Sequence, residues 1–393
     1  MKRLTLALAA IGLTAASFTA SAEINVTVPQ LQGGLVAGIT GLYLEPSSSN
    51  GDLDYVAINN NSTAANPLVQ VIAINPGFDF GWGANLGYVF PNTGNDVNLS
   101  YWHLNTSDSS TTNTSVDGAL NSKSFPVGGT FSNLPFTTSF SNAKFRLNQV
   151  DLTAGQYINI DSHLELHPFA GLRYADVKRT SNSNYSGVTP SFTFAALISS
   201  STIPVTDSAA ITNASVTEES DFDGVGPLAG MDLNVPIVGG LGIQAEFSGA
   251  LLFGNIDSKL QSVVNIGASQ QIVGLSPNLT FNLLPAIAQF SFTSNTRRVI
   301  PNLNTSLGAY YRFAFQNQSD ATLGVNYQVA EYWEAVDRLK SSARVNYPSG
   351  SFLGPNTANF PAVFLTGPVT SQSANLFVQG VAVSLTYHAS PTV

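Results

Sequence analysis

The 393-residue chain contains no cysteine. That removes disulfide staples and thiolate metal sites, so any assembly of an exported form is held without covalent links. Charge is scarce as well: Asp, Glu, Lys and Arg together make up 10% of the residues, while Gly, Ser, Thr and Asn abound, which suits strands and long polar loops better than helices. Basic residues are the rarer sign, 15 Lys and Arg against 24 Asp and Glu. A nucleic-acid partner, which needs a basic patch, is therefore not expected. Beyond the first twenty or so residues no uninterrupted run of eighteen apolar residues occurs, too little for a membrane-spanning helix. A chain of this kind that crosses a membrane must do so as a closed barrel, the other structure that satisfies every backbone polar group in lipid.

What is present begins with an export signal. Lys2 and Arg3 precede an apolar stretch from Leu4 to Phe18, and Ala20, Ser21 and Ala22 form a small-residue cleavage site. Residues 1–22 are read as a cleaved signal peptide and 23–393 as one domain. Losing Lys2 and Arg3 takes the formal charge from −9 to −11.

The mature chain alternates. Phe78, Phe80, Trp82, Ala84, Leu86, Tyr88 and Phe90 are interleaved with Asp79, Gly81, Gly83, Asn85, Gly87 and Val89, and after the turn residues Pro91 to Asn95, Val97, Leu99 and Tyr101 return. A period of two is a strand with one oily face. The pattern recurs from Leu35 to Tyr43, in Phe145–Ile160 with Leu164–Tyr174, in Val225–Val235 with Leu241–Phe253, in Leu303–Phe315 with Ala321–Val329, and in a last strand from Phe377 to Tyr387. Tyr157 is out of phase and suggests a bulge. The ten strands are joined alternately by turns of three to six residues and by loops of roughly thirty to fifty, with apolar loop segments at Val188–Ile198 and Thr280–Phe292 able to add hairpins. The expected fold is all-β: a transmembrane antiparallel up-and-down β-barrel of at least ten strands, with short periplasmic turns and long extracellular loops.

Two residue sets follow. Phe80, Tyr88, Phe90, Phe253, Phe313, Tyr327 and Tyr387 sit on the oily face as a lipid-facing aromatic belt. Asp151, Glu165, His167, Arg173, Asp232, Glu246 and Arg312 lie on the opposite face and are the pore-lining candidates. Counted from the short turns, Asp232, Glu246 and Arg312 would converge at one depth. Such charges either filter solutes at a constriction or pair up to brace a narrow lumen, and the sequence leaves both open. The histidines, His103, His163, His167 and His388, carry no HExxH and the serines no GxSxG context. No catalytic residue, metal site or cofactor is expected.

The strings GLYLEP at Gly41–Pro46, NLGYVFPNTGNDVNLSYWHL at Asn85–Leu104, HPFAGLRYADV at His167–Val177 and FDGVGPLAGMDL at Phe222–Leu233 resemble, in that order, the Legionella major outer membrane protein family. The resemblance implies a porin-like, oligomeric protein of a Gram-negative outer membrane that also meets host cells. The expected function is passive diffusion of small hydrophilic solutes; the alternative is a surface adhesin or structural barrel whose long loops bind host or envelope partners. Outer-membrane lipid is a partner on either reading.

Overall fold

The computed structural model describes residues 26–29, 31, 33–59, 69–113, 119–122, 137–160, 163–187, 191–198, 201–272, 279–315, 319–341, 344–346, 363–365 and 369–389. The segment 1–22, expected to be a signal peptide, lies outside the described residues. Ten long strands organise the rest: β1 Gly34–Ser48, β2 Asp79–Val89, β3 Asn95–Asn113, β4 Thr138–Gln156 and β5 Leu164–Ser186. They continue as β6 Ser201–Val238, β7 Leu241–Ile272, β8 Leu279–Ala314, β9 Asp320–Ser341 and β10 Val369–Ala389. Each pairs antiparallel with the next, and β10 returns to β1. The hydrogen-bond ladder is a closed, barrel-like ring. Among the described residues no helix is long and apolar enough to cross a membrane.

Turn chemistry fixes one end of the ring. Val238 pairs with Leu241, leaving Gly239 and Gly240 as a two-residue loop with φ of 59° and 90°. Such a turn requires left-handed backbone, which glycine adopts without steric cost. The same end carries Pro91–Gly94 between β2 and β3 and the β4–β5 and β8–β9 connections, so we call it the turn end.

From the turn end to about the middle of the strands, apolar side chains point outward. Phe80 is 81% exposed, and Leu86, Leu152, Leu172, Ile243, Phe247, Leu307, Leu323 and Leu385 are exposed with it. A continuous apolar girdle of this extent does not face water. From Phe80 to Phe90 is ten residues, about 33 Å at roughly 3.3 Å per residue, or about 25 Å along the axis of a ring tilted by about 40°.

Above the girdle the two faces exchange roles. Register places Tyr101, Val150, Tyr174, Val225, Phe253 and Val299 in one outward row across neighbouring strands. The next outward row is wholly polar: His103, Asn148, Asp176, Asp223, Asn255 and Arg297. Beyond it Arg146 bonds Asp176 at 3.1 Å and Lys178 bonds Asp221 at 2.8 Å. At the same height the inward face turns apolar, with Leu44, Leu104, Phe145, Leu147, Val177, Phe222, Leu252, Ile256 and Ile300 all buried in one core. On β7 the switch is visible in sequence: Phe247, Leu251 and Phe253 point out, while Leu252, Ile256 and Leu260 continue inward the phase that Gln244, Glu246 and Ser248 begin. The chain is lipid-solvated below and water-solvated above.

Several expectations are corrected by this switch. The segments read as long loops are mainly strand: β6 has 38 residues, β7 has 32 and β8 has 36. The hairpins expected at the two apolar segments are present: Ser191–Ile198 pairs antiparallel with the start of β6, and Thr280–Phe292 lies in β8, paired antiparallel with the end of β7. β1 runs through Pro46, opposite Val378. His388 belongs to β10 and faces Asp320 at 3.3 Å. Tyr157 is no bulge: β4 ends at Gln156, and Tyr157 turns inward just beyond it. The connection after β1 holds Asp54–Asn59 and Val69–Ala73, paired in a small sheet with Ala119–Ser122.

Candidate functional site

The space inside the ring has three levels. At the turn end it is a polar vestibule. Asp232 and Glu246 are register partners on β6 and β7, and Glu246 is exposed although the ring encloses it, so this part of the interior is accessible to water. Glu165 accepts a hydrogen bond from Asn234 at 3.1 Å, and Gln244 donates to Asn326 at 2.7 Å. His167 is held between two carboxylates, Nδ1 at 2.9 Å from Asp232 and Nε2 at 2.8 Å from Asp96. Two acceptors at the two ring nitrogens suit an imidazole that donates from both. Tyr157 stacks on it with centroids 4.2 Å apart and planes inclined by 17°.

The middle level is a cross-lumen network centred on Arg173, which is 1% exposed. Its Nε and Nη2 donate to the two oxygens of Asp151 at 2.8 and 2.7 Å, the fork geometry that makes such pairs strong. Gln149 donates to Asp151 at 2.8 Å. From β8, Asn302 accepts from Arg173; from β7, Ser248 accepts at 3.4 Å. Tyr332 of β9, 0% exposed, donates to Gln149 of β4. Since β4 and β9 are separated by β5 to β8 on one side of the ring, that bond crosses the lumen from wall to wall.

The third level fills the mouth opposite the turn end. The connection after β1 folds inward, burying Asp52, Leu53, Tyr55, Val56 and Ile74. Arg179 of β5 donates to the Asp52 carbonyl at 2.9 Å and to Glu218 of β6 at 3.1 Å. Arg338 of β9 donates to Glu218 at 3.2 Å and to the carbonyls of Gly51 and Asp54 at 3.0 and 3.2 Å. Burial pushes the Asp52 carboxyl up from its ordinary value, and the Arg179 guanidinium 3.0 Å away opposes that rise.

The seven pore-lining candidates are thus distributed unequally. Glu165, His167, Asp232 and Glu246 surround the vestibule, whereas Asp151 and Arg173 belong to the buried network. Arg312 does not converge with Asp232 and Glu246: Glu246 pairs with Ser306, six residues farther from the turn, and Arg312 lies at the rim, 3.7 Å from Asp320. All seven residues of the aromatic belt are exposed on the outer face. Asp96, Gln149, Asn302 and Tyr332 were missed by sequence reasoning. Asp96 shares its phase with Asn98 and Ser100 and was legible as inward, but nothing local marks it as the partner of a histidine 71 residues away.

A closed antiparallel ring with an apolar outer girdle, an aromatic border and a polar interior defines an outer-membrane β-barrel protein. The family model of the Legionella pneumophila major outer membrane protein precursor matches residues 27–389, and the chain belongs to that family. Its location is the outer membrane of a Gram-negative bacterium. No curated protein matches the chain. Among solved structures it is similar to the outer membrane protease OmpT of Escherichia coli, at 9% identity and a TM-score of 0.42, covering 92% of this chain and 99% of that one. It is also similar to the Pseudomonas putida toluene transporter TodX, at 5% identity and a TM-score of 0.27 over 92% and 91% of the two chains. A Pseudomonas aeruginosa FadL homologue aligns at 10% identity and a TM-score of 0.25 over 90% of each.

Proposed function

We propose that the protein is a narrow outer-membrane pore for small hydrophilic solutes, preferring cations, with the turn end in the periplasm and the long-strand end outside. The observation that carries this reading is the water-accessible vestibule inside the ring, where Glu165, Asp232 and Glu246 outnumber the cationic groups. Carboxylate-lined constrictions favour cations. The Arg173 network and the inward-folded connection after β1 both obstruct the path, so conduction requires each to part. The middle obstruction centres on the buried Arg173–Asp151 pair, which is costly to break, so openings are expected to be brief and rare. The pore acts by selection and passage, without a chemical step.

In planar bilayers the protein is expected to give small conductance steps with a cation-to-anion permeability ratio above one. The pair Asp232→Asn and Glu246→Gln should bring that ratio toward one while leaving the folded barrel intact. A folded protein that never conducts, or a ratio indifferent to both substitutions, would overturn the reading. One observation favours a second function as a surface adhesin: β6, β7 and β8 continue well past the apolar girdle and present a wall of sheet to the medium. Loss of cell attachment on shortening the β7–β8 hairpin, with conductance unchanged, would support it.

A further inference from the structure

We infer that Ser49–Val56 is a strap across the outer mouth, latched by Glu218 through Arg179 and Arg338, and that release of this latch lets the strap leave the lumen; the inference deepens the pore reading and rests on it.

The two ends of the strap are held differently. At its start the chain is bound to β10 by short-range contacts: Ser49 N–H donates to the Asn375 carbonyl at 3.1 Å, the Asn375 N–H donates to Ser49 Oγ at 2.8 Å, and Asn50 Nδ2 donates to the Ser373 carbonyl at 2.8 Å. Immediately after, Asn50 and Gly51 adopt φ of 56° and 64°, a left-handed pair that turns the chain off the wall and into the lumen. The anchored start and the sharp turn together make a hinge.

Past the hinge the strap has left the wall ladder. Three of its carbonyls, those of Gly51, Asp52 and Asp54, accept from two guanidiniums on opposite walls, Arg338 on β9 and Arg179 on β5. Glu218 joins the two guanidiniums: Oε2 accepts from Arg179 at 3.1 Å and Oε1 from Arg338 at 3.2 Å. Asp52, 3% exposed, completes the set beside Arg179. Glu218 is the shared anion of the two buried guanidiniums. Removing its charge leaves them with only the Asp52 carboxyl beside Arg179, in an interior that does not tolerate unpaired charge.

Farther along, Tyr55 spans to the opposite walls. Its hydroxyl lies 3.0 Å from Ser110 Oγ and 2.6 Å from Thr112 Oγ1 on β3, and its carbonyl accepts from the Tyr185 hydroxyl of β5 at 2.6 Å. The Tyr55 contacts are made by a side chain or to a single carbonyl, while the backbone of Leu53–Val56 is paired to Ser122 and to the Ile72–Ile74 stretch, so the strap moves together with that small sheet. The contacts of Tyr55 can be exchanged for water without breaking the wall, whereas any opening in the wall would break a run of ladder bonds. Departure of the strap leaves the wall ladder whole but exposes Leu53, Tyr55 and Val56, which are buried in the core, so the latch must be released before it can occur.

The absence of cysteine makes the test direct. Leu53, a buried residue of the strap itself, is replaced by cysteine to give a protein with one thiol, and a membrane-impermeant maleimide is added from the outside to protein in outer-membrane vesicles. Labelling is compared in this background with and without Glu218→Gln, and conductance is measured on the same proteins. Folding is checked by heat-modifiable gel mobility. The expected result is labelling accelerated by at least about tenfold, as a latch that governs local opening requires, with a rise in conductance. Should Glu218→Gln fail to fold, Arg338→Lys, which keeps the charge but loses the fork, is expected to give the same acceleration. Unchanged labelling in the folded variants overturns the strap. Faster labelling with no conductance in any variant upholds the strap and overturns the pore; a rise in conductance with unchanged labelling does the reverse.

Discussion

Replacement of Arg173 by methionine is expected to remove about 3–5 kcal/mol of folding stability, the cost of breaking a buried ion pair from one side. Asp151 is itself buried, and its carboxylate would keep only the Gln149 amide of the three bonds it now accepts. Asn302 and Ser248 would lose a donor as well. The companion substitution Asp151→Leu removes the stranded charge, so the double variant should recover much of the loss, because an ion pair exchanged for apolar groups of similar volume is often neutral. Reversible unfolding in lipid vesicles measures both. A loss below about 1 kcal/mol for the single variant would place Arg173 among exposed pairs and would mean that the middle of the lumen is wet.

The second large effect lies on the other face. Arginine in place of Leu86 on β2 or Leu323 on β9 is expected to cost about 2–4 kcal/mol, the range for a cation near the midplane on a barrel's lipid face. Both side chains are exposed, so in water the same change would cost almost nothing. Asp257→Arg supplies the contrast. Asp257 is outward on β7, above the row that holds Phe253, and its replacement should alter stability by no more than about 0.5 kcal/mol. Equal effects at Leu86 and Asp257 would remove the distinction between a lipid-facing and a water-facing zone.

That distinction also explains what the chain disclosed in advance. Alternation from Phe78 to Phe90, or from Leu303 to Phe315, identifies strands because lipid outside and water inside keep one phase oily and the other polar. Around Leu251, Leu252 and Phe253 the phase changes owner: Leu251 and Phe253 still belong outside, while Leu252, 0% exposed, already belongs to the core. An alternation that changes sides reads as irregular sequence, and the Ser- and Thr-rich strand beyond it reads as loop. The cross-lumen partners were hidden for another reason. Tyr332 and Gln149 are 183 residues apart, and only ring closure brings them together. Asp151 and Arg173, one adjacent inward pair on β4 and β5, were legible as lumen residues; that they close the lumen at mid-height depends on Asn302 and Tyr332 from the far wall.

The exchange of faces is the claim on which pore, strap and location all depend, and nitroxide labels test it most directly. Labels on single cysteines at Leu86, Ile243 and Leu323 are compared with labels at Asp221 and Asp257, each scored for collision with dissolved oxygen and with a water-soluble nickel chelate. The first three are predicted to meet oxygen and exclude nickel, and the last two to meet nickel. Nickel reaching Leu86, Ile243 and Leu323 as readily as Asp257 would show water around the whole ring and contradict the account.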